Sequence, residues 1–199
     1  MMDKETKNWL QTVFKKEELS KTEINSLAQE LLQTHESLSV ELYYELAKCN
    51  ADAALHVLTM ASQMKAQNEK QHLSERAAVA AGLLKKAYDL AFLYAGERSQ
   101  GGKLIVDWSL VQKMLAEIYL KVELHEKLIR SDLSPAIALA ILQECDGLVS
   151  QCMQVMGGAG YTEDYIVEKL FRQIHQLKNS PVPFAQAVMQ FYKREVLHL

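Results

Sequence analysis

The fold is decided by an alanine-rich stretch without proline, Ser74-Glu-Arg-Ala-Ala-Val-Ala-Ala-Gly82-Leu-Leu-Lys-Lys-Ala-Tyr-Asp-Leu-Ala-Phe-Leu-Tyr-Ala-Gly-Glu97. Alanine and leucine favour helix, and apolar residues recur at helical spacing. These apolar positions are Ala77, Ala81, Leu84, Tyr88, Ala91 and Ala95. The stretch therefore predicts one long helix that ends before Gly101-Gly102.

Further helices are predicted after this one. The apolar pattern predicts a second long helix from about Trp108 to Ile129. Ser134-Pro135 supplies a polar cap and a proline at the first helical position, which predicts a third helix over 135–156. Two more are expected over 162–178 and 184–197. Long helices joined by short turns predict an antiparallel four-helix bundle.

The first 73 residues read as an additional helical segment. Ser20-Lys-Thr-Glu23 has the form of a capping box, and another helical pattern begins at Asp52. The polar stretch from Lys65 to His72 is the expected boundary, so we predict a segment 1–73 and a bundle 74–199. With only three prolines in 199 residues, the chain is predicted to be all-α.

Composition excludes several classes of function. The formal net charge is -3 and the lysines are scattered, which argues against nucleic-acid binding. Six histidines show no spacing typical of a metal site, and three cysteines are interpreted as reduced core thiols. A polar start and no apolar run near the roughly 18 residues of a membrane span lead us to expect a cytoplasmic protein that does not bind membranes.

A glycine turn, Gln154-Val-Met-Gly-Gly-Ala-Gly-Tyr161, joins two of the predicted helices. Glycine allows positive φ and lets backbone amides approach an anion or a cofactor. The same glycines also suit a turn that only ends one helix and starts the next. The local sequence leaves both interpretations open.

Three stretches in order resemble the C-terminal helical domain of acyl-CoA dehydrogenases. They are Ser74-Glu-Arg-Ala-Ala-Val-Ala-Ala-Gly82, Tyr94-Ala-Gly-Glu-Arg-Ser-Gln-Gly-Gly-Lys103 and the glycine turn at 154–161. The resemblance covers roughly residues 74–178 and implies an FAD-dependent oxidoreductase ancestry. In that family FAD lies between subunits, a carboxylate removes the α-proton of an acyl-CoA and the flavin accepts the β-hydride.

The resemblance leaves one matched base. The family's usual glutamate, in a Glu-Gly-Thr loop, falls on Pro181-Val182-Pro183, which has no acid. A minority branch uses the glutamate of a Glu-Arg pair, which matches Glu75-Arg76 and makes Glu75 the candidate catalytic residue. The alternative is that Glu75 is a helix-start carboxylate that complements the helix dipole beside Arg76.

Four residues match cofactor contacts of the family. They are Arg98, which suits a bidentate clamp on the FAD diphosphate, together with Gln154, Gly157 and Gly158. The alternative for Arg98 is an ion pair with Glu97 or with a neighbouring helix. Gly101 stands where the family usually has phenylalanine, and Trp108-Ser109 where a glutamine commonly contacts the cofactor.

The family also places a β-rich middle domain before this bundle, whereas residues 1–73 show no series of alternating strands. We therefore expect a shortened protein that acts as an assembly or binding subunit without independent dehydrogenase activity. The alternatives are a half-site subunit completed by a partner flavoprotein, with FAD shared between them, and a helical adaptor with no cofactor. The resemblance also implies a homodimer or tetramer.

Overall fold

A computed structural model describes residues 9–10, 12, 19–34, 38–64, 69–131, 133–180 and 184–197. The helices are α1 Lys21–Thr34, α2 Val40–Cys49, α3 Ala51–Met64, α4 Glu69–Glu97, α5 Ser109–Ile129, α6 Pro135–Met156, α7 Ile166–Asn179 and α8 Phe184–Glu195. A short antiparallel hairpin pairs β1 Ser99–Gln100 with β2 Lys103–Leu104. Short 3₁₀ turns span Ile105–Asp107 and Gly157–Tyr161. The all-α prediction is confirmed, although the sequence analysis missed the hairpin.

Helix α4 is the central element of the fold. Every residue from Ser74 to Leu84 is buried. A helix that is buried on all sides needs neighbours on all sides, and α2, α3, α5, α6 and α7 all pack against α4. The N-terminal helices and the bundle thereby share one continuous core.

Helix α2 approaches α4 most closely at Gly82. A Cβ atom built at Gly82 would lie 2.5 Å from the carbonyl oxygen of Tyr44 and 2.6 Å from the Cβ of Ala47. Neither distance is compatible with a side chain, so the backbones meet only because Gly82 has none. The alanines on either side of this contact explain why the stretch is so rich in small residues.

The four bundle helices alternate in direction. Ser74 Oγ donates to the carbonyl of Leu133 at 3.3 Å, so the start of α4 lies beside the start of α6. At the opposite end, the Tyr94 and Tyr165 rings meet edge to face with centroids 5.7 Å apart. We call the first the Arg76 end. The second, where α4 and α6 end and α5 and α7 begin, is the Arg98 end. The antiparallel four-helix bundle is thereby confirmed.

Local signals set several boundaries as expected. Helix α6 spans Pro135–Met156, and Ser134 Oγ accepts from the N–H of Ile137 at 3.4 Å. The capping box forms, since the Glu23 carboxylate accepts from the N–H of Ser20 at 2.8 Å. These caps are short-range interactions, which is why the sequence alone predicts them.

Two helix starts differ from prediction. Helix α4 begins at Glu69, before the predicted Ser74, because the polar stretch there continues the helix; residues 65–68 lie outside the described part. Helix α7 begins at Ile166, after the predicted Thr162, because Thr162 Oγ1 donates to the carbonyl of Ala159 at 2.9 Å within a turn. The division at residues 73 and 74 stays a prediction, and α4 passes through it without interruption.

One helical stretch, Pro135–Tyr161, is long and apolar enough to cross a membrane by length and composition. This differs from the expectation that no apolar run approaches that length. Half of the qualifying window is buried inside the bundle, where Ile141, Leu142 and Val149 contribute to the core. Core packing therefore accounts for this helix's apolar composition.

The contact at Gly82 gives a stability prediction. Gly82→Ala adds a methyl group where none fits, so we expect a loss of about 1–3 kcal/mol of unfolding free energy, although alanine is the better helix former. The matched control is Gly147→Ala in α6, where nothing lies within 4 Å of the added Cβ and a gain of about 0.5–1 kcal/mol is expected. Urea unfolding followed by circular dichroism measures both. Equal effects would contradict the proposed contact.

Candidate functional site

Arg98 directly follows α4 and has a fixed backbone. Its N–H donates to the carbonyl of Tyr94 at 2.9 Å, and its carbonyl accepts from the N–H of Ile105 at 2.8 Å. Its side chain is exposed. The alternative ion pair with Glu97 does not form, and within the described residues no carboxylate lies at ion-pair distance from its guanidinium. Arg98 is therefore an accessible cation on a rigid support.

The hairpin after Arg98 closes through a tight turn. Gly101 and Gly102 have φ values of 63° and 84°, which is the left-handed geometry of a two-residue hairpin turn. Lys103 Nζ lies 4.0 Å from the centroid of the Trp108 ring. The segment 98–108 thus gathers two cations and an aromatic ring.

The glycine turn also lies at the Arg98 end. The Gln154 side chain is exposed, and its backbone carbonyl accepts from the N–H of Gly157, which has a φ of 60°. Gly158 is exposed, whereas Gly160 is buried with space for no side chain, since its Cβ would lie 2.5 Å from the carbonyl oxygen of Met153. Only Gly157 among these glycines uses positive φ; Gly160 is required by packing.

Two helices begin at this end without a side-chain cap. Trp108 and Tyr165 are the N-cap residues of α5 and α7, and neither side chain accepts a hydrogen bond from the first turn. By contrast, Ser39 and Ser134 cap α2 and α6. Uncapped N–H groups at a helix start favour an anion. Together with Arg98, they make this end suitable for a phosphate group.

Glu75, the candidate base, lies at the Arg76 end and is buried with 2% of its surface exposed. It is not in the first turn of its helix, because α4 begins at Glu69. One carboxylate oxygen lies 3.9 Å from His72 Nδ1. Burial, and then the charge of Glu75, raises the pKa of the neighbouring Tyr43, so that hydroxyl remains neutral.

Arg76 holds the end of α7. Its Nε donates to the carbonyl of Leu177 at 2.8 Å and its Nη2 to that of Lys178 at 3.0 Å. Burial lowers the pKa of Arg76 to about 10, so it remains charged at neutral pH. The Glu-Arg motif therefore has a structural task here, because its arginine caps another helix.

The candidate residues fall into two groups. Arg98, Gln154, Gly157 and Gly158 lie at one end of the bundle, and Glu75 lies near the other. At a rise of about 1.5 Å per residue, Glu75 and Arg98 are separated by roughly 35 Å along the axis of α4. One copy of the chain does not bring both groups to a single point.

Part of the chain is similar in sequence to known proteins. Residues 71–132 match the family described as acyl-CoA dehydrogenase, C-terminal domain. The short/branched chain specific acyl-CoA dehydrogenase of Rattus norvegicus mitochondria is 33% identical over 103 residues, covering 46% of this chain and 24% of the rat protein. The caffeyl-CoA reductase-Etf complex subunit CarC of Acetobacterium woodii is 30% identical over 103 residues, covering 46% and 27%. Residues 71–132 of this bundle are thus similar in sequence to the acyl-CoA dehydrogenase C-terminal domain.

Solved acyl-CoA dehydrogenases share the fold of this bundle. A probable acyl CoA dehydrogenase from Mycobacterium abscessus superposes with a TM-score of 0.56 at 22% identity, covering 69% of this chain and 39% of that one. Butyryl-CoA dehydrogenase from Megasphaera elsdenii gives 0.51 at 18% identity, covering 73% and 36%. The chain spans about a quarter of the length of the curated relatives that it matches. The roles of the five candidate residues stay predictions.

A cleft of about 640 Å³ lies elsewhere, between α1, α4, α7 and the start of α3. Its charged groups are already engaged: Lys169 Nζ pairs with Asp52 at 2.7 Å, and Lys86 Nζ donates to the carbonyl of Cys49 at 3.2 Å. Neither lysine is therefore comparable to Arg98 as an accessible cation.

A polar cluster inside the bundle, formed by the buried His125 and Cys145 with the partly exposed Glu144, was not predicted from the sequence. His125 Nε2 lies 2.8 Å from a carboxylate oxygen of Glu144, and His125 Nδ1 lies 3.7 Å from Cys145 Sγ. Burial raises the pKa of the Cys145 thiol well above its ordinary value, so the thiol stays protonated. Although these residue types also form nucleophilic triads, Cys145 is fully buried, and the cluster is structural. The sequence signal that could have indicated this cluster is the position of His125, a histidine within the apolar stripe of Ile118 and Val122.

The cluster gives a pH prediction. Burial lowers the pKa of His125 below its ordinary 6.5, partly opposed by Glu144. The folded state thus favours neutral His125, and this stability is present above pH 6.5 and is lost as the pH falls toward the folded pKa. Although burial alone would raise the pKa of Glu144, hydrogen bonds from Lys121 and His125 lower it below 4.5, so its contribution is lost only at lower pH.

We expect the unfolding free energy to fall as the pH drops below about 6.5, and this slope to be smaller in His125→Gln. Urea unfolding of both proteins across that range measures the slopes. Identical slopes would exclude His125 as the titrating group.

Proposed function

We propose that this chain is an assembly or binding subunit, related to the acyl-CoA dehydrogenase bundle, without independent dehydrogenase activity. The observation that carries this proposal is the burial of Glu75 at the end of the bundle opposite Arg98. A catalytic base must come within hydrogen-bonding distance of the proton that it removes. With 2% of its surface exposed, Glu75 is covered by its own chain.

The sequence of the loop after α7 supports the same proposal. The position of the family's usual catalytic glutamate is occupied by Pro181, followed by Val182 and Pro183. These three residues lie outside the described part of the structure. Their side chains contain no group that accepts a proton, whatever the conformation of the loop.

A second candidate is a half-site subunit of a flavin-dependent acyl-CoA dehydrogenase that a partner flavoprotein completes. The accessible guanidinium of Arg98 and the uncapped starts of α5 and α7 favour it. In this arrangement Arg98, Gln154, Gly157 and Gly158 would bind the phosphates of FAD at a shared interface. FAD, when bound, accepts a hydride; the chain's own residues would bind and orient its phosphates, while the partner supplies the remaining wall.

Self-association is the third part of the proposal. Large apolar side chains are exposed along α4 and α5, namely Phe92, Leu93, Tyr119, Leu120 and Leu124. The Tyr88 ring connects the two helices, with centroids 6.0 Å from Phe92 and 5.9 Å from Tyr119. Exposed apolar patches of this kind are typical of protein interfaces. We propose a homodimer or tetramer formed through this surface.

The activity test separates the candidates. Purified chain mixed with FAD, a short-chain acyl-CoA and an artificial electron acceptor is expected to give no acceptor reduction above background, and Glu75→Gln is expected to give the same result. Flavin retained through gel filtration without turnover would favour the half-site subunit. Turnover by the chain alone that is lost in Glu75→Gln would overturn the proposal.

The association surface has its own test. Leu120 lies on this surface and is 67% exposed. Because Leu120→Glu would place a charge in the apolar contact, we expect it to lower the mass measured by light scattering toward that of a monomer. The control is Lys113→Glu on the same helix, where the side chain is 69% exposed and carries a charge already. A monomeric wild type, or an unchanged mass in Leu120→Glu, would contradict this surface.

A further inference from the structure

Trp108 carries an indole that the fold holds in place without burying it. Its N–H donates to the carbonyl of Ile105 at 3.2 Å, and its carbonyl accepts from the N–H of Gln112 at 3.0 Å. Backbone hydrogen bonds therefore hold the peptide units on both sides of Trp108. Even so, 42% of its surface is exposed. An exposed ring on a fixed backbone loses little conformational entropy when a ligand covers it.

Lys103 and Gly101 fix the orientation of the ring. Lys103 Nζ lies 4.0 Å from the ring centroid and also donates to the carbonyl of Asp107 at 3.1 Å. A Cβ at Gly101 would lie 3.1 Å from Trp108 Cζ2. The edge of the indole thus occupies the space in which a side chain at residue 101 would begin.

The two departures from the family pattern lie against each other in the structure. The resemblance places a phenylalanine at residue 101 and a glutamine near residue 108, whereas this chain has Gly101 and Trp108. The aromatic ring now comes from residue 108 and lies against residue 101. Hence the turn of the hairpin that follows Arg98 carries an aromatic surface, although the residue that supplies the ring differs from the family pattern.

We propose that Trp108, with Lys103, is a stacking site for the flat heteroaromatic ring of a nucleotide whose phosphate is held by Arg98. This rests on the proposed half-site function and adds a ring contact that the motif-matched residues do not provide. Stacking on an aromatic side chain is sequence-tolerant and suits flavin and adenine alike. The charge of Lys103, whose Nζ lies 4.0 Å from the ring centroid, and that of Arg98 at the start of the same hairpin favour a ring that carries phosphate.

Three probe ligands distinguish binding of the ring from binding of the phosphate. FMN carries an isoalloxazine ring, ADP carries adenine, and pyrophosphate carries no ring. Calorimetric titration of the full chain is expected to show that Trp108→Leu weakens FMN or ADP binding by roughly tenfold or more and leaves pyrophosphate binding unchanged. Trp108→Phe, which keeps a ring, should retain most of the affinity. The probe that loses affinity in Trp108→Leu identifies the ring that stacks.

Fluorescence supplies a second readout. The chain has two tryptophans, so Trp9→Phe leaves Trp108 as the only indole. Stacking is expected to quench its emission with FMN or ADP and not with pyrophosphate. Tyr192→Leu removes an aromatic side chain of similar exposure, 46%, from α8 and should leave nucleotide affinity unchanged.

The outcomes distinguish the two proposals. Arg98→Ala is expected to weaken all three probes. If Arg98→Ala weakens them and Trp108→Leu changes none, the stacking site is wrong and the phosphate site stands. If none of the three probes binds the wild-type chain, both the stacking site and the half-site function are overturned.

Discussion

The packing of this molecule is governed by how closely neighbouring helices approach α4. At Gly82 the α2 backbone lies where a Cβ would be, and every residue from Ser74 to Leu84 is buried. A larger side chain there would push α2 away and open the core that joins the N-terminal helices to the bundle. Small residues in the middle of α4 therefore determine the spacing of the elements around it.

This packing also determines where chemistry can occur. Because α4 is one continuous helix that is buried from Ser74 to Leu84, it is a rigid spacer between Glu75 and Arg98, roughly 35 Å apart at the rise of an α-helix. Neither group can move toward the other without unfolding the helix. Any site that used both would have to combine one end of one chain with the opposite end of another.

The sequence predicted the parts of the fold that depend on neighbouring residues. Ser134 caps α6 and Gly157 follows its last residue, so the limits of that helix could be inferred from short-range chemistry. Thr162 shows the limit of such reasoning: it has a typical capping side chain, yet its hydroxyl donates to the carbonyl of Ala159. Likewise, His125 and Cys145 belong to different helices, and only tertiary packing brings their side chains together.

The candidate site also has a part that the sequence predicts and a part that only tertiary packing shows. Motif matching identified Arg98 and the glycine turn because their residue types are retained, but it read Gly101 and Trp108 as two separate losses. The geometry relates them, since the indole lies against the backbone of residue 101. A substitution that removes a ring at one position and supplies it from another preserves the surface without preserving the sequence. For that reason we propose a nucleotide-binding edge in a chain whose motif matches only in part.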